Sequence, residues 1–226
     1  NAEMTWPVKS LGSLLSGAEL FLDGDWVESK DQDPSGSIRL LQLADIGDGY
    51  FIDKSNRFIN EDAFSRLKCT ELHEGDILVA RMPDPLGRAC ILGELSQRCI
   101  TVVDVCIIRV DKNKVNPKWL VHAINSPLVR QQIQNLAKGA TRVRISRKNL
   151  AEVKLQVPPL AEQQRIAALL DTADNLLRLR EAAIAKLSIL QMSSLQEMLS
   201  ANKTDTSVVS LGDVCHFVRG PLVIVP

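Results

Sequence analysis

The sequence carries no net charge, since 27 Lys and Arg residues balance 27 Asp and Glu. A global basic field is therefore excluded, and any attraction for a polyanion has to be local. No apolar run approaches the roughly 18 residues of a membrane span, and no basic-then-apolar leader opens the chain, so a cytoplasmic location and no membrane contact are expected. Cys69, Cys90, Cys99, Cys106 and Cys215 form no C-x-x-C pair. An odd number without framework spacing implies reduced thiols, some of them small core residues. His73, His122 and His216 stand too far apart for metal-ligand spacing, and no metal site is expected. No phosphate-loop spacing accompanies Gly49, Gly75 and Gly87, which read as turn residues. The serines have no neighbouring His or acid in motif form.

One further absence is informative in the opposite sense. Residues 160–199 contain neither Gly nor Pro, directly after Pro158-Pro159. This predicts one helix over residues 159–200, roughly 60 Å long at 1.5 Å per residue. Ile166, Leu170, Ala173, Leu177, Ile184, Leu187 and Met198 recur along it at helical spacing, and Leu169, Leu176, Ala183 and Leu190 widen the stripe to about a third of the surface. No other segment has that length, so the stripe calls for a second copy of the chain or a repeat not fully present here.

The first 158 residues read as a mixed domain of strands with a few helices. Strands are expected over residues 38–46, 50–52, 77–81, 88–92 and 151–157, with the strongest signal a single strand over residues 99–110. Helices are expected from Asn60 to Leu67, and over residues 117–125 and 127–137, the last two opening on Pro117 and Pro127. The fold class is α+β: a mixed domain (1–158), a long helix (159–200) that pairs antiparallel with another, and a tail (201–226). Charge is uneven along the chain. Residues 1–57 hold ten acidic and five basic residues, whereas residues 81–148 hold thirteen basic and four acidic. Two basic segments stand out. The loop Arg81-Met-Pro-Asp-Pro-Leu-Gly-Arg88 carries two guanidiniums, each able to make a bidentate contact to guanine, on a backbone stiffened by Pro83 and Pro85. Beyond it lie Lys138, Gly139, Thr141, Arg142, Arg144, Arg147 and Lys148, where an extended backbone would point Arg142 and Arg144 to one face.

A short internal repeat links the two ends: Val8-Lys9-Ser10-Leu11-Gly12 returns as Val208-Val209-Ser210-Leu211-Gly212. Residues 208–226 therefore read as the opening of a second unit. The run Leu155-Gln156-Val157-Pro158-Pro159-Leu160-Ala161-Glu162-Gln163-Gln164-Arg165-Ile166-Ala167 resembles the central motif of the specificity subunits of type I restriction-modification enzymes. Similar too are Gly75-Asp76-Ile77-Leu78 with Arg81 downstream, Gly139-Ala140-Thr141-Arg142, and the opening Trp6, Leu11 and Gly12.

The resemblance implies a target-recognition domain followed by a conserved helix, in a half-subunit form. It implies a non-catalytic chain that directs methyltransferase subunits, and restriction subunits with them, to a bipartite site on double-stranded DNA. S-adenosylmethionine would sit on the methyltransferase partner, with no cofactor on this chain, and Arg81, Arg88, Lys138, Gly139, Thr141, Arg142 and Arg144 are the candidate DNA contacts. A homodimer through the long helix would make the target an inverted repeat. A scaffold or inhibitor of the same partners that no longer reads DNA is the alternative. A methyltransferase would show an acid or amide followed by Pro-Pro-aromatic, and neither Asp84-Pro85-Leu86 nor Val157-Pro158-Pro159-Leu160 fits. Glu152-Val153-Lys154 has the acid-x-lysine of a metal-dependent nuclease without the upstream acid.

Overall fold

The computed structural model describes residues 6–139, 143–201, 210, 213 and 215. The chain divides into two compact units, Asn1–Thr172 and Ala173–Pro226. In the first unit the elements run β1 (Val8–Ser10), α1 (Leu11–Leu14), β2 (Leu20–Asp23), β3 (Ile38–Leu41), β4 (Phe58–Ile59), α2 (Glu61–Leu67), β5 (Ile77–Ala80), β6 (Ala89–Ile91), β7 (Cys99–Thr101), β8 (Val105–Arg109), α3 (Pro117–Asn125), α4 (Pro127–Leu136), α5 (Arg147–Glu152) and β9 (Lys154–Gln156). The long helix α6 (Leu160–Ala201) starts there and continues through the second unit.

The strands form three sheets, and the four- and three-stranded ones face each other across a shared core. The four-stranded sheet has the order β2-β8-β5-β6, all antiparallel; the three-stranded sheet has the order β4-β3-β7, with β3 and β7 parallel; β1 pairs antiparallel with β9. Alternation along β5 and β8 explains why both read as unbroken apolar runs. Ile77, Val79, Cys106 and Ile108 face Trp119, Leu120, Ile124 and Ile133 of α3 and α4. Leu78, Ala80, Val105 and Ile107 face Leu41 and Cys99 of the second sheet. A strand covered on both faces needs an apolar residue at every position. Beyond the second sheet, Ile38, Leu40, Ile59 and Ile100 pack on Ala63 and Phe64 of α2.

The expected strand over residues 99–110 is in fact two, in different sheets. The chain leaves the three-stranded sheet after Thr101 and enters the four-stranded one at Val105. Gly24 makes that crossover possible, since a Cβ there would lie 2.4 Å from the Val102 carbonyl oxygen. Because both strands are buried throughout, the sequence shows no break between them. The strand expected at 151–157 is likewise shortened. Ser146 caps α5 by accepting from Asn149 N–H at 3.1 Å, and the strand starts only at Lys154. Residues 38–46 form β3 and then a 3-10 turn, and residues 50–52 hold only a bridge from Phe51 to Ile46. The helices expected from Asn60 and at Pro117 and Pro127 are present, with Asn60 and Asn116 as side-chain caps.

Glycine and aspartate of the Gly75-Asp76 pair act together at the far end of the four-stranded sheet. Gly75 takes a positive φ of 89°, and the fully buried Asp76 accepts from His73 N–H at 2.8 Å. Its carboxylate also receives the Arg109 guanidinium in a fork, at 2.7 and 2.8 Å. Asp76→Ala should therefore lower unfolding free energy by about 3 kcal/mol, the cost of leaving a half-buried guanidinium unpaired, as read by urea denaturation. A loss under about 1 kcal/mol would mean that the pair does not hold the turn.

Candidate nucleic-acid interface

Strand register gathers the basic segments at one end of the four-stranded sheet. Asp23, the last residue of β2, pairs with Cys106, and Ala80, the last of β5, pairs with Val105. The chain after Asp23, the crossover 102–104 and the loop 81–88 thus all emerge on the same side. The segment after α4 is pinned there as well. Ile145 N–H donates to the Arg81 carbonyl at 3.0 Å, and Arg144 Nη2 donates to the Val103 carbonyl at 3.1 Å.

Lys138 and Arg144, expected in one extended segment, instead pair with each other. Lys138 and Arg144 exchange both backbone hydrogen bonds, at 3.0 and 2.9 Å, which sets their side chains on one face. α4 ends at Leu136, so Gly139, with φ 115°, belongs to the segment between them and does not terminate the helix. Asn149 Nδ2 donates to Leu136 O at 2.7 Å, tying α5 to the end of α4. Thr141 and Arg142 lie outside the described residues.

The two loop arginines have a different job from the one expected. Arg81 is 4% exposed and its guanidinium pairs with Asp23. Arg88 is 8% exposed and donates from Nε to Ile46 O at 2.6 Å, from Nη1 to Pro85 O at 3.0 Å and from Nη2 to Leu43 O at 2.7 Å. Burial holds its pKa below the usual guanidinium range. Neither guanidinium can reach a base while it staples the loops beneath. At the loop's exposed tip are Pro83, Asp84 and Pro85. A buried stapling arginine and a base-reading one look alike in sequence, and only the carbonyls facing Arg88 distinguish them.

Ion pairs also dissolve most of the charge asymmetry along the chain. Acids of the first 57 residues neutralise cations of the middle: Asp23 with Arg81, and Asp48 with Arg130 at 2.6 Å. Arg144 pairs with Asp104 at 3.1 Å, and Arg147 pairs with Asp23 at 4.0 Å, donates to Phe21 O at 2.8 Å and stacks over the Phe21 ring. Lys138 and Lys148 are exposed, with no ion pair among the described residues. Trp26, 67% exposed, lies three residues beyond the end of β2. Sequence reading had not marked it, although a tryptophan set among acids is a visible signal.

The family model for the type I restriction modification DNA specificity domain matches residues 5–188. The chain belongs to that family. It is 23% identical over 146 residues to the type I restriction enzyme MjaVIII specificity subunit of Methanocaldococcus jannaschii, covering 63% of this chain and 34% of that protein. In fold it is similar to the HsdS subunit from Thermoanaerobacter tengcongensis (TM-score 0.59, 20% identity, 87% of this chain and 45% of that one). It is similar also to the type I restriction-modification S subunit from M. genitalium (TM-score 0.57, 16% identity, 90% and 48%). The chain thus spans a third to a half of the length of these relatives.

In this member of the specificity-domain family the Pro-Pro-Leu-x-Glu-Gln run is a joint. Pro159 O accepts from the N–H groups of Glu162 and Gln163, both at 2.9 Å, starting α6. Gln163 is 1% exposed; its Oε1 accepts from Asn116 N–H and its Nε2 donates to Pro158 O, both at 2.9 Å. Asp171 receives Lys118 at 2.5 Å and His122 at 2.9 Å, and Ile166 and Ala167 pack on the main core. Ile166, expected on the partner stripe, serves its own domain.

Arg88→Ala should cost stability before it costs discrimination. Three carbonyls lose their donor, so unfolding free energy is expected to fall by about 2–3 kcal/mol in urea titration. Full stability with altered DNA preference would return Arg88 to the groove.

Proposed function

We propose that this chain acts as a DNA-specificity subunit, which reads one half of a bipartite site and directs methyltransferase subunits, and restriction subunits with them, to it. The observation that carries this reading is the convergence of Lys138, Arg144, Arg147 and Lys148 at one sheet end in a chain of the specificity-domain family. Phosphate contacts from these cations would set position and salt dependence, while base edges would be read by the tips of the loops 81–88 and 139–143. Gly139, Thr141 and Arg142 stay in this assignment; Arg81 and Arg88 act by holding the loops. The chain supplies no chemistry itself in this reading, and S-adenosylmethionine belongs to the methyltransferase partner. The site of action is the cytoplasm.

Helix α6 supplies the spacer. Every large apolar side chain from Leu176 to Leu199 is more than half exposed, far beyond the isolated apolar residues of an ordinary surface. At ~100° per residue, Leu179 marks one edge of the arc and Ile189 the other. The arc therefore covers roughly 280° of the circumference, not the third expected from the stripe alone. An antiparallel second copy would take part of it and helices of the methyltransferase chains the rest. Arg180 falls within the arc, at the midpoint of Leu160–Ala201. With helix ends level, it would meet Glu181 of the second copy on each side of the two-fold, giving two opposite-charge pairs. Two reading heads on a spacer of about 60 Å are separated by nearly two turns of B-DNA, at ~34 Å each, which suits an inverted repeat with an unread gap.

Two measurements test these halves separately. Fluorescence anisotropy on duplex DNA across a salt series should show a steep salt slope, and Lys138→Ala with Lys148→Ala should reduce it by about 2 without changing sequence preference. No salt-dependent binding would leave only the scaffold reading. Leu177→Asp with Ile184→Asp should convert dimers to monomers in sedimentation velocity while the thermal unfolding of the first unit stays within about 2 °C of the parent. Dimers that survive both charges would move the interface off this helix.

A further inference from the structure

Three arginines and one fully buried carboxylate converge on a single surface loop of the first unit, residues 42–57, which leaves β3 after Leu41 and returns to β4 at Phe58. Asp45 accepts from the N–H groups of Gln42, Lys54 and Ser55 at 2.6, 2.7 and 2.7 Å, and so ties the two limbs together. Arg39 donates to Ser55 O at 2.7 Å, Arg88 holds Leu43 O and Ile46 O, and Arg130 holds Asp48. Inside the loop, Ile46 bridges Phe51, Gly47 N–H donates to Tyr50 O at 3.0 Å and Ile52 N–H donates to Asp45 O at 2.9 Å, which makes residues 45–52 a tight hairpin. Its tip turns at Gly49, whose φ of 89° suits glycine and whose N–H donates to Ala89 O at 2.9 Å.

Alternation along the returning limb separates its side chains. Phe51 packs on the core shared by the two larger sheets, whereas Tyr50 and Ile52, on its other side, stay 47% and 43% exposed. A Cβ on Gly47 would lie 3.1 Å from Tyr50 Cε2 and 3.1 Å from Ile52 Cγ1, so the two side chains meet over that glycine as one apolar patch. The neighbouring acids are already paired, Asp48 with Arg130 and Asp53 with Arg39 at 2.5 Å, while Lys54 is exposed with no ion pair among the described residues. Strand direction sets the hairpin at the same sheet end as Lys138 and Lys148. β3 runs parallel to β7, residues 102–104 join β7 to β8, and β8 runs antiparallel to β5, so the loops after β3 and β5 leave from one end.

We propose that this hairpin enters the major groove of DNA and that Tyr50 and Ile52 read a thymine there, through apolar contact with its C5 methyl group. The major groove admits a two-stranded ribbon and is the groove that displays that methyl. The inference rests on DNA reading as given above and deepens it by naming the base feature that is read. Because hydrogen bonds fix both limbs before DNA arrives, the patch has little freedom left to lose on binding.

The test selects duplexes from a randomised DNA library with the unaltered chain and repeats the selection with Tyr50→Ala plus Ile52→Ala. The unaltered chain should favour thymine at one or more positions. Deoxyuridine placed there, which lacks only the methyl, should weaken binding about three- to fivefold, the worth of one buried methyl. The double variant should lose both that preference and the response to deoxyuridine, while its salt slope stays unchanged and the first unit melts within about 2 °C of the parent. Tyr50→Phe should keep both, since the ring makes the contact. If the double variant melts early, the deoxyuridine arm decides alone, because it changes nothing in the protein. A sequence preference without thymine, one indifferent to deoxyuridine at every selected thymine, or one retained in full by a folded double variant would overturn the thymine contact and leave DNA reading standing. Binding with no sequence preference, or no binding, would overturn both.

Discussion

A buried amide at the foot of the long helix sets the terms for the rest of the molecule. Gln163, only 1% exposed, satisfies Asn116 N–H and Pro158 O at once and so commits the first turns of α6 to the first unit. A buried amide left half-paired costs about 1–3 kcal/mol, which makes this position intolerant of any side chain lacking both a donor and an acceptor. Asp171, two turns on, repeats the attachment with Lys118 and His122. The helix is therefore rooted by polar contacts of fixed geometry, and its apolar residues beyond Thr172 are left for other uses.

How far the sequence revealed this depended on whether the relevant signal was local. The long helix and its start were readable, because Pro158-Pro159 and the lack of Gly or Pro act within a few residues. So were α2, α3 and α4, each announced by its own Asn cap or proline. The crossover between β7 and β8 was not, because residues buried on both faces carry no period to break. Nor was the pairing of Lys138 with Arg144, beside which Ile145 reaches Arg81 and Asn149 reaches Leu136, contacts that no local pattern announces.

The candidate site shows the same limit more sharply. Composition counts charges, whereas folding pairs them. Thirteen cations in residues 81–148 suggested a broad basic surface, yet Asp48, Asp76 and Asp104 each take one of them into an ion pair and Asp23 takes two, Arg81 and Arg147. Among the described residues, the exposed cations of this segment left without an ion pair are Lys138 and Lys148 at one sheet end and Lys112 beside Gly75 at the other. The attraction for a polyanion is therefore much weaker than the count of charges suggests. Arg88 illustrates the trade directly: a guanidinium spent on three backbone carbonyls gives the loop a fixed shape and gives up its own reach to a base.

The exposed arc of α6 places a second constraint on the assembly. Burying a Leu, Ile or Met side chain is worth about 1.5–3 kcal/mol, so the uncovered residues between Leu176 and Leu199 represent a driving force well above what holds many domains together. A single antiparallel partner would cover only part of an arc of roughly 280°, and a dimer alone would still expose a large apolar strip. The same helix therefore offers apolar surface to more than one neighbour. Were one of them a second copy of this chain, symmetry would pass from the helix to whatever the two heads contact, because identical heads related by a two-fold axis can match only a target with the same axis.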